Sequence, residues 1–391
     1  MKSYPLILTL MTALVSGCAS RPQTNTADSG PAPAESFVKK WSVDAGYKTI
    51  QSFHKSGDML YVYGPNSQVA AIDLSGGLQF RTRVGGAGDV VGAPMTQAER
   101  IIFPTSSSLE IVSRKGNKQR TIRLEQPMRS PGVAAEETVF AGSDSDQGGR
   151  LAAIALDRPY DIYRWTRLLG LIRSQPVLYE NSLYVATEDG KIYAMTTDPV
   201  LLWPATAEKP GGVFKTDGSV MAPIKVDEGG VYVASTDTKL YVLDPVNGNI
   251  RWQYYAGVPL RNGPQPGADT VYLTVPGQGL VALDKKVAGP PVRQPRWTNR
   301  NAKTVVAEDA QIVYVLTTNG AIAALDKKDG RQRFITKRSD FTHVVPNINP
   351  KDNTIYAVTA DQKVMAFQPI LRPGSAGELV MAPVNEVPAG G

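Results

Sequence analysis

The chain has 391 residues, 42% hydrophobic and 20% charged, a balance that supplies a buried core and excludes a chain disordered throughout. Its 36 Gly and 29 Pro favour tight turns over long helices, while 2 His and 1 Cys are too few for Cys/His zinc sites, Cys–His nucleophiles or disulfide scaffolds. The net charge of +6, spread over 42 basic and 36 acidic residues, is too diffuse to point to nucleic acid.

Lys2 is the only charge before an apolar run at residues 5–15, interrupted by Thr9 and Thr12. Eleven residues reach roughly 16 Å as a helix, about half of a ~30 Å bilayer core, so the run reads as the hydrophobic region of a signal peptide. It ends in Val15-Ser16-Gly17-Cys18, which resembles the bacterial lipobox. The resemblance implies that residues 1–17 are removed and that Cys18 carries the lipid, its thiol diacylglycerylated and its new N-terminus acylated. Residues 18–36, rich in Ser, Thr, Pro, Ala and Asn, then form a flexible tether. Ala19 is not the Asp that retains enterobacterial lipoproteins at the inner membrane. The sorting rule therefore implies an outer-membrane anchor facing the periplasm.

From residue 37 to 368 one unit recurs about every 42 residues. Its clearest copy is Val231-Tyr232-Val233-Ala234, then residues 237–244, then Asn247-Gly248 and Arg251-Trp252. Alternating apolar and polar residues, a turn, a second alternation and an aromatic closing strand predict three or four short strands per unit. The aromatic of one strand serves as an anchor at Tyr61, Phe103, Phe140, Tyr184, Tyr232, Tyr272, Tyr314 and Tyr356, at intervals of 42, 37, 44, 48, 40, 42 and 42. Pro94, Pro131, Pro176, Pro223, Pro264 and Pro346 each precede an anchor by eight to ten residues, with Ala307 at the equivalent place of the seventh unit. Trp41, Trp165, Trp203, Trp252 and Trp297 fall in the closing-strand slot, Phe80 and Phe334 substitute in two units, and only Ile122 stands near it in the second. Such a sheet cannot cover both faces alone, whereas eight arranged radially cover one another. The expected fold is an all-β, eight-bladed β-propeller, monomeric, with the Trp41 strand pairing into the last blade to close the ring. Residues 369–391, rich in Pro, Gly and Ala, are expected to be a disordered tail.

The pattern Tyr-Val … Gly-x-x-Tyr-Ala-Leu-Asp … Gly-x-x-x-Trp resembles the pyrroloquinoline-quinone-type (PQQ-like) repeat over about 85% of the chain. With the lipobox and this length, the whole resembles the propeller lipoproteins of outer-membrane β-barrel assembly. That resemblance implies a non-enzymatic scaffold without cofactor, which binds the periplasmic domains of the barrel-inserting outer-membrane protein. A propeller lipoprotein of another envelope complex, or a binder of anionic envelope material, is the alternative. PQQ-dependent dehydrogenases are much longer and stack the quinone on a vicinal disulfide, which a chain whose sole cysteine is Cys18 cannot form.

Other chemistry is weaker. Asp144-Ser145-Asp146-Gln147-Gly148-Gly149 begins like a calcium loop, but Arg150 and apolar residues follow where ligands are needed, so it reads as a polar hairpin. Gly86, Gly88 and Gly92 precede Pro94 rather than a helix, unlike a dinucleotide fingerprint. His54 and His343 are solitary in sequence and read as packing or surface residues. One pattern remains: Met128-Arg129, Leu171-Ile172-Arg173 and Leu260-Arg261 each place an arginine behind aliphatic residues in the loop leading to a marker proline. Equivalent loops of a propeller emerge on one face, and an aliphatic-plus-arginine patch is what protein-binding hot spots use. The expected partner surface is Arg129, Leu171, Ile172, Arg173, Leu260 and Arg261, with no catalytic, cofactor or metal residue.

Overall fold

The computed structural model describes residues 37–86, 92–145, 148–157, 163–168, 170–336, 339–349 and 351–369. They form eight antiparallel sheets of four strands, numbered here as blades 1 to 8 from the N-terminus. Blades 1 to 7 span residues 52–83, 95–123, 133–167, 177–215, 225–255, 265–299 and 302–335. Blade 8 takes three strands from residues 341–369 and its outer strand from Phe37–Asp44, which pairs with Lys363–Pro369. The expected closure by the Trp41 strand is therefore what the chain does, and the paired region runs to Pro369, one residue past the expected boundary. Within a blade, successive strands run from the propeller axis outward. The innermost strand of blade 1 packs on that of blade 8 to complete the ring.

All eight anchors lie in the second strand with at most 2% of their surface exposed, because both faces of that strand are covered by neighbouring blades. In four blades one alanine of the third strand lies between the anchor and the closing aromatic. The registers are Tyr61–Ala71–Phe80, Tyr272–Ala282–Trp297, Tyr314–Ala324–Phe334 and Tyr356–Ala366–Trp41. A methyl group between two large side chains lets the rings meet above it, 6.1 Å apart for both Tyr356–Trp41 and Tyr272–Trp297.

The closing aromatic also fastens its blade to the next. The indole Nε1 of Trp41, Trp203 and Trp297 donates to the carbonyls of Leu74, Pro245 and Lys327, at 3.0, 2.9 and 2.9 Å, in the third-to-fourth strand connection of the following blade. A glycine with positive φ in that connection lies flat on the ring: Gly76 on Trp41, Gly116 on Phe80, Gly248 on Trp203 and Gly330 on Trp297. A Cβ on Gly330 would stand 2.6 Å from the Trp297 ring, so both the backbone conformation (φ +71) and the close approach require glycine. Gly330→Ala should lose clearly more than 1 kcal/mol, whereas Gly277→Ala, with the same sign of φ but open space around its Cβ, should lose only the ~1 kcal/mol of conformational strain. Urea midpoints of the two variants test this, and equal losses would deny the seam its packing role.

Three expectations need correction. In blade 2, Ile122 is buried against blade 3, but the slot itself belongs to Arg120, four residues after Gly116 as Phe80 is four after Gly76. Its Nη1 donates to the Leu156 carbonyl of blade 3 at 2.9 Å, the bond an indole makes elsewhere. Pro94, Pro131, Pro176, Pro223 and Pro264 do sit just before the innermost strand, where a missing N–H costs nothing, but Pro346 follows its strand Phe341–Val345 and is out of phase. Ala307 lies inside the strand Ala302–Glu308, paired with Tyr314, one place beyond where the prolines stand. In blade 4 the closing strand is split. Leu202 N–H bonds to Ala194 beside Trp203, the chain detours, and Phe214–Lys215 resumes the pairing with Lys191 and Ile192. The expected polar hairpin is present as the paired strands Thr138–Ser145 and Gly148–Ala155.

Candidate functional site

The loops that enter each innermost strand share a face with the turns between second and third strands, because strands alternate in direction. Arg129, Arg173 and Arg261 lie on this face, in the loops entering blades 3, 4 and 6. The loops are held by backbone bonds: Arg129 N–H to Gly142 O at 2.8 Å, Glu188 N–H to Leu171 O at 2.7 Å, and Leu260 N–H to Ser235 O at 3.2 Å. Arginines on such loops are presented without the entropic cost of ordering a mobile segment.

Two of the three aliphatic residues of the expected patch are not at the surface. Ile172 and Leu260 each have 0% exposure. Ile172 fills the core between blades 3 and 4, and Leu260 the core between blades 5 and 6. A side chain just before an exposed loop arginine can be the plug that fixes the loop, and these two are plugs. Leu171 is half-buried and Arg129 exposed. Arg173 Nε lies 3.5 Å from Glu188 Oε2 with both side chains about one-third exposed, an ion pair of the kind worth under about 1 kcal/mol. Arg261 Nη1 reaches Met221 Sδ at 3.3 Å, and Met221 is itself 42% exposed. Beside them Lys239 pairs with Asp217 at 3.0 Å and Tyr241 Oη donates to Asp237 at 2.8 Å.

The structure thus brings Arg173 to Glu188 and Arg261 to Met221, two partners that the sequence reading did not single out. Glu188 had a findable signal, since it heads the Glu-Asp-Gly turn at the same phase as the Thr236-Asp237 turn of the next blade. Met221 had none, because exposure of a methionine in a loop has no periodic signature. Cys18 lies outside the described residues.

The two histidines are closer to one another than the sequence suggests. His54 and His343 lie on the innermost strands of blades 1 and 8, on either side of the ring's closing seam. His54 packs edge-on against Tyr63, ring centres 5.2 Å apart. Burial, and secondarily the charge of His343, hold its imidazole below the ordinary 6.5. The unfolded chain then binds the extra proton first, so stability is complete above pH ~6.5 and falls as pH drops from there toward the depressed folded value. His54→Phe should flatten this part of a melting-temperature profile, and an unchanged acid slope would assign it to other groups.

A family model described as outer membrane protein assembly factor BamB matches residues 107–254 and 200–289. No curated protein matches the chain in sequence. Among solved structures, BamB from Moraxella catarrhalis is similar at 15% identity and a TM-score of 0.63, covering 85% of this chain and 97% of that one. The computationally designed protein Ika8 is similar at 12% identity and TM-score 0.61, over 84% of this chain and 98% of that one. The C-terminal WD40 domain of Sif2 is similar at 13% identity and TM-score 0.60, over 85% and 97%. At these identities the likeness shows the propeller fold alone, and the WD40 signature would need Gly-His pairs that two histidines cannot supply. The chain is an eight-bladed β-propeller of PQQ-like repeats that resembles the assembly factor BamB.

Proposed function

We propose that this chain is a non-enzymatic scaffold, anchored through Cys18 to the outer membrane and facing the periplasm, that binds a protein partner in β-barrel assembly. The partner chemistry this reading names is the periplasmic domains of the barrel-inserting outer-membrane protein (BamA-like). The observation that carries it is the loop face itself: Arg129, Arg173 and Arg261 on clamped loops around one end of a PQQ-like propeller, with exposed Met221 against Arg261. Residues 1–17 serve as the signal and 18–36 as the tether, which at about 3.4 Å per residue lets the propeller stand up to roughly 60 Å from the bilayer.

Co-purification from detergent-solubilised envelopes tests the reading. The barrel-inserting protein should be recovered with the wild type. It should be lost with the double variant Arg173→Glu/Arg261→Glu, since truncating a hot-spot arginine costs about 2 kcal/mol or more and reversal no less. The melting temperature of that variant should barely move, because exposed ion pairs contribute little. Cys18→Ser should leave the protein in the soluble fraction after a high-salt wash. Recovery of an unrelated envelope complex, or unchanged capture by the double variant, would reject this partner or this face.

A further inference from the structure

We propose that the seam between blades 3 and 4 binds an acyl chain with an anionic headgroup, a free fatty acid being the occupant that the pocket fits. At this seam the chain leaves a cavity of about 560 Å³, within the range of small-molecule sites. Its floor is apolar, formed by Leu168, Tyr193, Met195 and Val213. Its mouth carries Arg167, Lys191 and Lys215. Strand alternation produces this division. Lys191, Tyr193 and Met195 fall on one face of the third strand of blade 4, and Val213 and Lys215 line the same cavity from the interrupted fourth strand.

At four other seams Gly76, Gly116, Gly248 and Gly330 each lie on an aromatic ring of the preceding blade; at this one Gly211 lines the cavity, and among the described residues no atom lies within 4 Å of its Cβ position. Val200, Leu201 and Leu202, 60%, 43% and 41% exposed, extend the apolar surface outward as a lip.

Two features select the ligand class. Lys191 stands directly opposite Lys215 across the strand pair, so two cations share this rim and a bound anion relieves the repulsion that Asp189 leaves. Asp189 pairs with Lys191, and among the described residues no carboxylate pairs with Lys215. The second feature argues against a peptide. The outward hydrogen bonds of the third strand are already made, Gly190 O to Thr216 N–H, Ile192 with Phe214, and Ala194 O to Leu202 N–H. An extended peptide would find no ladder here and would bury its own amides unpaired. A ligand whose only polar group is its head has no such requirement.

The proposal does not rest on the partner reading, and its test uses the full-length chain titrated calorimetrically with laurate. Saturable one-to-one binding is expected. Decanoate, two methylenes shorter, should bind about 15-fold more weakly, as transfer of two CH₂ groups requires. Dodecanol, without the charge, should bind at least tenfold more weakly than laurate. Lys215→Glu should weaken laurate at least tenfold with an unchanged melting temperature, and Leu201→Asp at the lip should do so by a smaller factor. Absence of saturation would overturn the proposal, as would indifference to chain length or to Lys215→Glu. Tight binding of an acidic, apolar peptide without laurate binding would overturn it in favour of a peptide site.

Discussion

Deleting residues 37–44 is expected to leave no folded propeller, whereas deleting residues 370–391 should leave the melting temperature nearly unchanged. The first strand touches three blades. It pairs with Lys363–Pro369 from Phe37–Pro369 to Asp44–Lys363, which gives blade 8 its outer strand. Trp41 Nε1 bonds to Leu74 O of blade 1. Phe37 packs edge-on against Phe334 and Tyr314 of blade 7, with ring centres 5.1 and 5.8 Å apart. Losing one buried aromatic costs about 3–5 kcal/mol, and this deletion removes buried Phe37 and half-buried Trp41 together with a strand ladder. A domain stability of about 5–15 kcal/mol does not survive that sum. What remains would expose the edge of blade 8, a template for aggregation. Limited proteolysis and size-exclusion chromatography of the two deletions give the answer, and equal tolerance would refute closure by the first strand.

Glu308→Ala should be the most damaging single polar substitution, at about 3 kcal/mol and up to 5. The Glu308 carboxylate has no exposed surface. It receives Tyr272 Oη at 3.1 Å, the Ala268 N–H at 2.6 Å and the Lys327 ammonium at 3.3 Å, and so ties blade 6 to blade 7. Removing it strands a buried lysine that, among the described residues, keeps only Asp269 as an ion-pair partner, at 2.9 Å, which places the effect toward the lower end of the range. Glu308→Gln keeps the shape and some of the hydrogen bonding and should cost roughly 1–2 kcal/mol. Denaturant midpoints distinguish them, and a Glu308→Ala variant within 1 kcal/mol of wild type would mean that Asp269 alone satisfies Lys327. A related clamp recurs one seam earlier, where Lys285 of blade 6 binds Asp227 and Glu228 of blade 5 at 2.9 and 3.1 Å.

The architecture was legible because it is periodic. An anchor every 42 residues or so, with an aromatic in the closing-strand slot of most units, states the blade count, and a leading Trp41 without strands before it states the closure. What escaped was the non-periodic part. The interval of 48 between Tyr184 and Tyr232 signalled an insertion in blade 4, but not that it would split the closing strand and open a cavity. Arg120 was hidden because a guanidinium can replace an indole as donor to the next blade, a substitution of function and not of residue class. The candidate face was half legible. Loop phase placed Arg129, Arg173 and Arg261 on one side, yet Ile172 and Leu260 were read as surface partners when they anchor their loops from within. A loop sequence reports its charges more faithfully than which of its aliphatic residues turn inward.

The meeting of the chain's first and last strands also governs the order of assembly. Hairpins within a blade join residues close in sequence and can form as the chain emerges. The pairing of Trp41 with Ala366 spans more than three hundred residues and must wait for the end of the chain. Until then the first strand is a free ligand for any complementary edge, including the unfinished last blade of a neighbouring copy. At high local concentration the same ladder that closes one ring can link two chains by exchange of residues 37–44. The nascent protein therefore depends on dilution, or on a companion that shields its leading strand, during the interval between its first blade and its last.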